Sequence, residues 1–418
     1  MPSEYSMVLW TAIIGIWVLA YFVYLLRSPH NFLTAAIALF WLVIVEPAPC
    51  DVLAGLGALA WFVHSTAIKR APAGLSFAEA FILLFALANG ATILLCPGAP
   101  DKVNIVHFVS TTIYLVFFSV VVSQMVDGFG SLRRVLGIYL IPCVITACVL
   151  MLGFCLVRLQ VDLLGLKDVL VLEGRPRGVF KDPNVAGPSL ILGGLFCLAK
   201  AIYGEGKRVW RYVFLLGLLF LGILLTLSRA ALGAFALGVF YVLVMSGRLF
   251  TFRVLGRAIA AVLIAGAVLW YFVGVDDVTG RIVDPNYGIK DRVQRITYGL
   301  NSLSDHVLIG VGMRLEPDRV PHDSYFFVLV QSGVAGFVLL WGPLCYIVFN
   351  LVKMSRMTSD AAEKVVFLAL AGSMLAHLLI GTVIYILHWR HFWLLVGLSV
   401  AALRTLDRRS SDERGLSK

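Results

Sequence analysis

Arginines and one histidine stand where such residues can do chemistry. Arg175 and Arg177 lie in EGRPRGVFKDPNVAGPSL, where Pro176, Gly178, Pro183 and Gly187 punctuate the chain just before an apolar run. Asp182 or Asn184 can cap the helix that starts there, and its N-terminus with two arginines beside it favours an anion. Arg229 lies in LLTLSRAALGAF, within a stretch from Tyr212 to Ser246 that is otherwise almost free of charge. Arg292 belongs to a basic segment with Arg281, Lys290, Arg295, Arg314 and Arg319, and His322 follows in VPHDSYFFVLVQSGVAG. A guanidinium offers a rigid fork of donors that matches phosphate oxygens and stays charged at any relevant pH. Histidine titrates near neutrality and can take a proton from a hydroxyl. Such a set suits an anion held in place while a hydroxyl is activated beside it. Each residue also has a plainer reading: solvated arginines on a capped loop, a snorkelling Arg229 at a helix end, polar surface at His322.

The elements that must position these side chains are membrane helices. Of 418 residues, 60% are apolar and 14% charged, with a mean hydropathy of +0.92, which excludes a water-soluble globular enzyme. Apolar runs recur that cross about 30 Å of hydrocarbon at about 1.5 Å per residue. Spans are expected near 7–26, 30–45, 52–68, 76–96, 103–125, 135–158, 186–203, 212–227, 230–246, 257–273, 326–350, 365–386 and 392–404. The fold class is therefore all-α, a polytopic transmembrane bundle of about 12–13 spans. A barrel needs short segments of alternating polarity, and LLGLLFLGILLTL does not alternate. The first run lacks a basic leader and a cleavage site, so it reads as a retained helix. The 212–246 stretch is too long for one crossing and must break near Ser228 and Arg229. An arginine at membrane depth is a functional candidate by default.

The formal charge of +10 reads as topology rather than as a nucleic-acid footprint. Basic residues gather in alternate short loops and in the tail, which the positive-inside rule places in the cytoplasm. That puts the C-terminus inside and loops 159–185 and 274–325 outside. Both are longer than a connection requires, so they are expected to fold against the bundle. Residues 1–158 then form N-terminal transmembrane helices, 159–404 the region with both loops, and 405–418 a charged cytoplasmic tail. The seven cysteines lack CxxC spacing, and only Cys50 and Cys96 sit at segment ends. His388 and His391 in LHWRHFW fit an interfacial belt, and Glu79 near a helix end can pair with an arginine. No HExxH, Walker, GxSxG or DxD motif occurs, so neither a metal site nor a cofactor is expected.

In order, RPRGVFKDPN, TLSRAALGAF, DRVQRITYGLNSLSDHVLIGVGM and HDSYFFVLVQSGVAGF resemble the O-antigen ligase and polymerase superfamily of bacterial membrane glycosyltransferases. The resemblance covers roughly residues 170 to 345 and implies a GT-C-like fold. It implies a donor glycan on undecaprenyl diphosphate and an acceptor hydroxyl on lipid A core or on another glycan. It implies an inner-membrane protein with a periplasmic site and an inverting, metal-independent transfer. By position Arg229, Arg292 and His322 are the expected catalytic residues, with Arg177, Arg175, Arg295 and Arg319 binding diphosphate or glycan. Asp323 stands where the family has asparagine, and Val307 where it has proline. Ligase is the expected activity, polymerase the alternative within the family, and a lipid-linked glycan flippase or a membrane scaffold the alternatives outside it. A flippase usually shows paired repeats, and none is visible here.

Overall fold

The structure, a computed structural model, describes residues 28–43, 48–67, 74–95, 102–161, 165–247, 289–312 and 320–416. Its helices are α1 (Pro29–Ala38), α2 (Pro49–Ala67), α3 (Phe77–Leu95), α4 (Lys102–Met125), α5 (Gly128–Arg158), α6 (Leu166–Leu170), α7 (Pro183–Ser189), α8 (Ile191–Tyr203), α9 (Arg208–Leu225), α10 (Arg229–Met245), α11 (Ile289–Leu303), α12 (Ser324–Met357), α13 (Ala361–Gly381) and α14 (Arg390–Leu416). One two-residue hairpin, β1 (Val171–Leu172) with β2 (Arg175–Pro176), is antiparallel. Among the described residues six helical stretches are long and apolar enough to cross a membrane: α4, α5, α7 with α8, α9, α12 and α13. The expected all-α polytopic bundle is what forms. The expected spans 7–26 and 257–273 lie outside the described residues.

One expected span is cut short. In place of 30–45, α1 has ten residues and reaches only about 15 Å. Leu39 closes it, and Phe40, Trp41 and Val43 turn into a cavity instead.

The centre of the bundle is α13, whose Val366, Phe367, Leu368, Ala369 and Leu370 are fully buried. It packs against α8, α10, α12 and α14, which is why its sequence is apolar all round rather than striped. Helix α14, whose Phe392, Trp393, Leu394 and Leu395 are also fully buried, runs along α4. Arg390 at its start forks onto Asp51 of α2 at 2.7 and 2.6 Å, and Arg404 further along pairs with Glu79 of α3. The partner expected for Glu79 is thus Arg404, and Ser76 and Ser123 add their hydroxyls to the same carboxylate.

The expected span 326–350 is helical at both ends but broken inside. Gly333 takes φ 63°, ψ −169° in the middle of α12. The break leaves helix-terminal backbone groups without partners, and within a membrane these must be satisfied by protein. Segment 307–311 supplies them. Val307 and Leu308 accept from Val334 N and Ala335 N at 2.9 and 3.1 Å, and Val311 N donates to the Val330 carbonyl at 2.9 Å. Gly310, at φ 74°, faces Gly333 so closely that a Cβ on either would collide with backbone of the other's segment. Gln331, next to the break, donates to buried Asn89 of α3 at 3.0 Å.

Candidate functional site

Residues 165–185 fold against the bundle, as expected of the loop; Arg177 ties this segment to itself and Arg175 ties it to the bundle. Arg177 donates through its side chain to the carbonyls of Val169, Asp168 and Lys181 at 3.1, 2.9 and 3.4 Å. Its own amide donates to the Leu170 carbonyl at 2.8 Å. Arg175 reaches further. Its Nε and Nη2 donate to the Thr226 carbonyl at 3.1 and 2.9 Å, and Nη2 also donates to Asn184 Oδ1 at 3.1 Å. Asp182 is the cap of α7, accepting from Asn184 N at 2.7 Å behind Pro183 at the first helical position.

The carbonyl that Arg175 holds belongs to the break that the sequence places near Arg229. Helix α9 ends at Leu225 and α10 begins at Arg229, with Ser228 as its cap. Leu227 between them has φ 51°, a conformation that costs a non-glycine residue about 1 kcal/mol or more. Thr226 and Ser228 are buried while Arg229 is exposed. The strained turn therefore drives one charged side chain outward at the end of an apolar hairpin.

His322 is positioned by the residues after it. Asp323 Oδ1 caps α12 by accepting from Phe326 N at 2.7 Å. Ser324 is fully buried, donating to the Ile384 carbonyl at 3.0 Å and accepting from Ile386 N at 2.9 Å. Tyr325 donates to the Leu378 carbonyl at 3.1 Å and stacks on Trp341 with centroids 4.0 Å apart. In HDSY three side chains thus lock the helix start, and His322 alone is exposed. Burial pushes the Asp323 carboxyl up from its usual range, opposed by backbone amides of the helix start and by the charge of Arg292.

That last interaction brings the basic segment to the histidine. On α11, Arg292, Arg295 and Gly299 share a face by their spacing. Gly299 lies against Pro321, the residue before His322, and against Val330 of α12. Arg292 is exposed and Arg295 half-buried, and the charge of Arg292 is felt at Asp323, the cap of α12. Arg319 lies outside the described residues.

The described contacts thus form two groups: Arg175 with the Arg229 turn in one, and Arg292 with the helix start that follows His322 in the other. A separate cavity of about 780 Å³ is walled by Lys181 and by the 388–391 segment that leads into α14, and none of Arg175, Arg177, Arg229, Arg292, Arg295 or His322 lines it. His388 is in this wall, bonded to Thr112 at 3.2 Å, and His391 is buried beside His377 with ring centroids 5.4 Å apart. Neither histidine forms the surface belt expected for it. Periodicity and motif spacing carry no signal for Asp51, Tyr114 or Arg390 as cavity residues, because their partners are remote in the chain.

Residues 213–341 match the family model described as O-Antigen ligase. No curated protein matches the chain significantly. A chain in a solved structure described as "Structural coordination of polymerization and crosslinking by a peptidoglycan synthase complex" is 19% identical, over 79% of this chain and 96% of that one, with a TM-score of 0.43. The matched stretch contains the Arg229 turn, Arg292, the paired glycines Gly310 and Gly333, and His322. The chain thus carries, within its membrane bundle, a stretch similar to the O-antigen ligase family.

Proposed function

We propose that the protein is an O-antigen ligase, moving a glycan from undecaprenyl diphosphate to a hydroxyl of lipid A core on the periplasmic face of the inner membrane. The observation that carries this is that one family-matched stretch holds Arg229, Arg292 and His322 together. Arg229 and Arg292, with Arg295 and Arg319, bind the diphosphate and offset its charge as it leaves, the task that a divalent cation performs in many transferases. Arg175 holds the Arg229 turn against the diphosphate, and Arg177 braces the loop that carries Arg175. His322 takes the proton of the acceptor hydroxyl as its oxygen bonds to the anomeric carbon, and the bond from that carbon to the diphosphate breaks. A single displacement inverts the anomeric centre.

Charge stabilisation of this kind is worth about 3 kcal/mol per donor, and base catalysis about a hundredfold or more. Arg229→Ala and Arg292→Ala, at wild-type protein level, are therefore expected to remove polymeric surface glycan and leave bare core on lipopolysaccharide gels. Full-length glycan in either variant would refute the mechanism. Core with a single repeat in a deletion strain would assign the chain to the polymerases instead.

A further inference from the structure

Helix α11 has three sides. Gly299 faces the bundle, against Pro321 and Val330, and Arg292, Arg295 and Leu303 share that side by their spacing. Turned about 100° from it, at 3.6 residues per turn, Val293, Ile296 and Leu300 recur at the interval of a single helical stripe. Val293 and Leu300 are exposed and Ile296 half-buried. The opposite flank carries the exposed polar residues Gln294, Thr297 and Asn301. A helix of low overall hydrophobicity, with cations on one side and an apolar stripe on another, has the pattern of a helix that lies in a membrane interface.

The chain that follows α11 is apolar where it is most exposed. Val307, Leu308 and Ile309 all stand out of the fold, the last two at 68% exposure. Yet the carbonyls of Val307 and Leu308 are bonded to α12 at the Gly333 break, and α12 shows what surrounds them. It is among the helices long and apolar enough to cross a membrane. Val334, whose amide donates to the Val307 carbonyl, is itself exposed, as is Val338 one turn further on. The tip therefore continues an apolar surface of a membrane-crossing helix, and contiguous exposed apolar surface of this kind marks an interaction site. Depth follows from length. From Gly333 to Met357 α12 runs about 36 Å at about 1.5 Å per residue, with Lys353 and Arg356 near its far end. The hydrocarbon layer is about 30 Å thick, and the bilayer with its headgroups about 40–45 Å. With the far end at one boundary, the break and the tip bonded to it stand at the other, where acyl chains meet headgroups.

We infer that α11 and the 307–309 tip are docked in the membrane surface, with Val293, Leu300, Leu308 and Ile309 reaching the acyl chains of the leaflet on the His322 side. The partner is the bilayer itself. Charge agrees with this placement, because Arg292 is exposed on α11 and an interfacial helix sets such cations among lipid phosphates. The inference does not depend on the transferase reading. It makes the described part of the second long loop a membrane anchor rather than an aqueous connection. Under the transferase reading, the same anchor holds Arg292 at the height where a lipid-borne diphosphate lies.

The test places a fluorescent amino acid, dansylalanine, at one position at a time in the full chain in nanodiscs. It compares quenching by lipids brominated high on the acyl chain with quenching by iodide in the water. Probes at Ile309 and Leu300 should be quenched by lipid and protected from iodide, and a probe at Gln294, on the polar flank, should be quenched by iodide. The lipid-to-iodide ratio at Ile309 is expected to exceed that at Gln294 at least about fivefold. A probe at Phe349, exposed on α12, sets the full lipid response. Thermal unfolding shows whether each variant is folded, and where the Ile309 probe disturbs the Gly333 break, the Leu300 probe carries the test. Iodide quenching at Leu300 or Ile309 equal to that at Gln294 overturns the inference. So does a probe at either position that neither quencher reaches, since protein rather than lipid would then cover the patch. Loss of transfer in wild type, with lipid quenching intact, would overturn the transferase reading and leave the anchor standing.

Discussion

At the residue scale, arginines of one kind in the sequence divide into two kinds in the structure. Arg229 and Arg292 are exposed, whereas Arg175 and Arg177 spend their donors on backbone carbonyls and on Asn184. Arg175→Ala is expected to lower both thermal stability and transfer, because the buried Thr226 carbonyl loses a charged donor worth about 1.5–3 kcal/mol. Arg175→Lys should restore little, since one ammonium cannot reproduce the planar fork. Equal transfer by wild type and Arg175→Ala would show that the turn does not depend on this anchor. Asp323 offers a second prediction. Its oxygen caps α12 as an asparagine oxygen would, so Asp323→Asn keeps the cap and removes only the buried charge. A carboxyl whose folded pKa is raised contributes stability in its protonated form, present below its unfolded value and lost as pH rises through the folded one. Asp323→Asn should therefore be more stable than wild type near neutrality. The gap should close as pH falls toward 3.8, the unperturbed carboxyl value. A gap that widens on acidification would contradict this.

At the element scale, α12 shows why the glycines of VLIGVG and QSGVAG lie where they do. Each helix half needs partners at the break, and the 307–311 backbone provides them only if no Cβ intervenes at Gly310 or Gly333. Gly333→Ala combines a left-handed φ with a backbone collision, so a loss of more than about 2 kcal/mol is expected, and Gly310→Ala should match it. Gly342, in the same helix with open space around it, serves as the control: Gly342→Ala should be neutral or mildly stabilising. Thermal unfolding in detergent reads all three. The same geometry explains the departure at Val307. Its carbonyl is what the break uses, and a proline has that carbonyl too.

At the scale of the whole molecule, α14 ties the last helix to the first half of the chain, through Asp51 on α2 and Glu79 on α3. Breaking a largely buried ion pair strands one charge, at about 3–5 kcal/mol, whereas removing both partners costs much less. Asp51→Asn and Arg390→Met should each destabilise strongly, and the double variant should be more stable than the sum of the two predicts. Additive losses in a double-mutant cycle would mean that the pair contributes no coupling.

What the sequence by itself determined is what depends on neighbours along the chain. Hydropathy set the helical class, the near-absence of charge from 212 to 246 set the break at Arg229, and Pro183 behind Asp182 set the start of α7. Of the four short motifs read in order, the last three fall within the family-matched stretch 213–341, and RPRGVFKDPN lies before it. Only the tertiary structure decided which arginines face outward, because Arg175 meets Thr226 across 51 positions. It also decided that α12 breaks at Gly333, since that glycine is intelligible only beside Gly310. The cavity was furthest from view. Its central pair joins residues 339 positions apart, and no local pattern constrains two side chains that meet only after the bundle has closed.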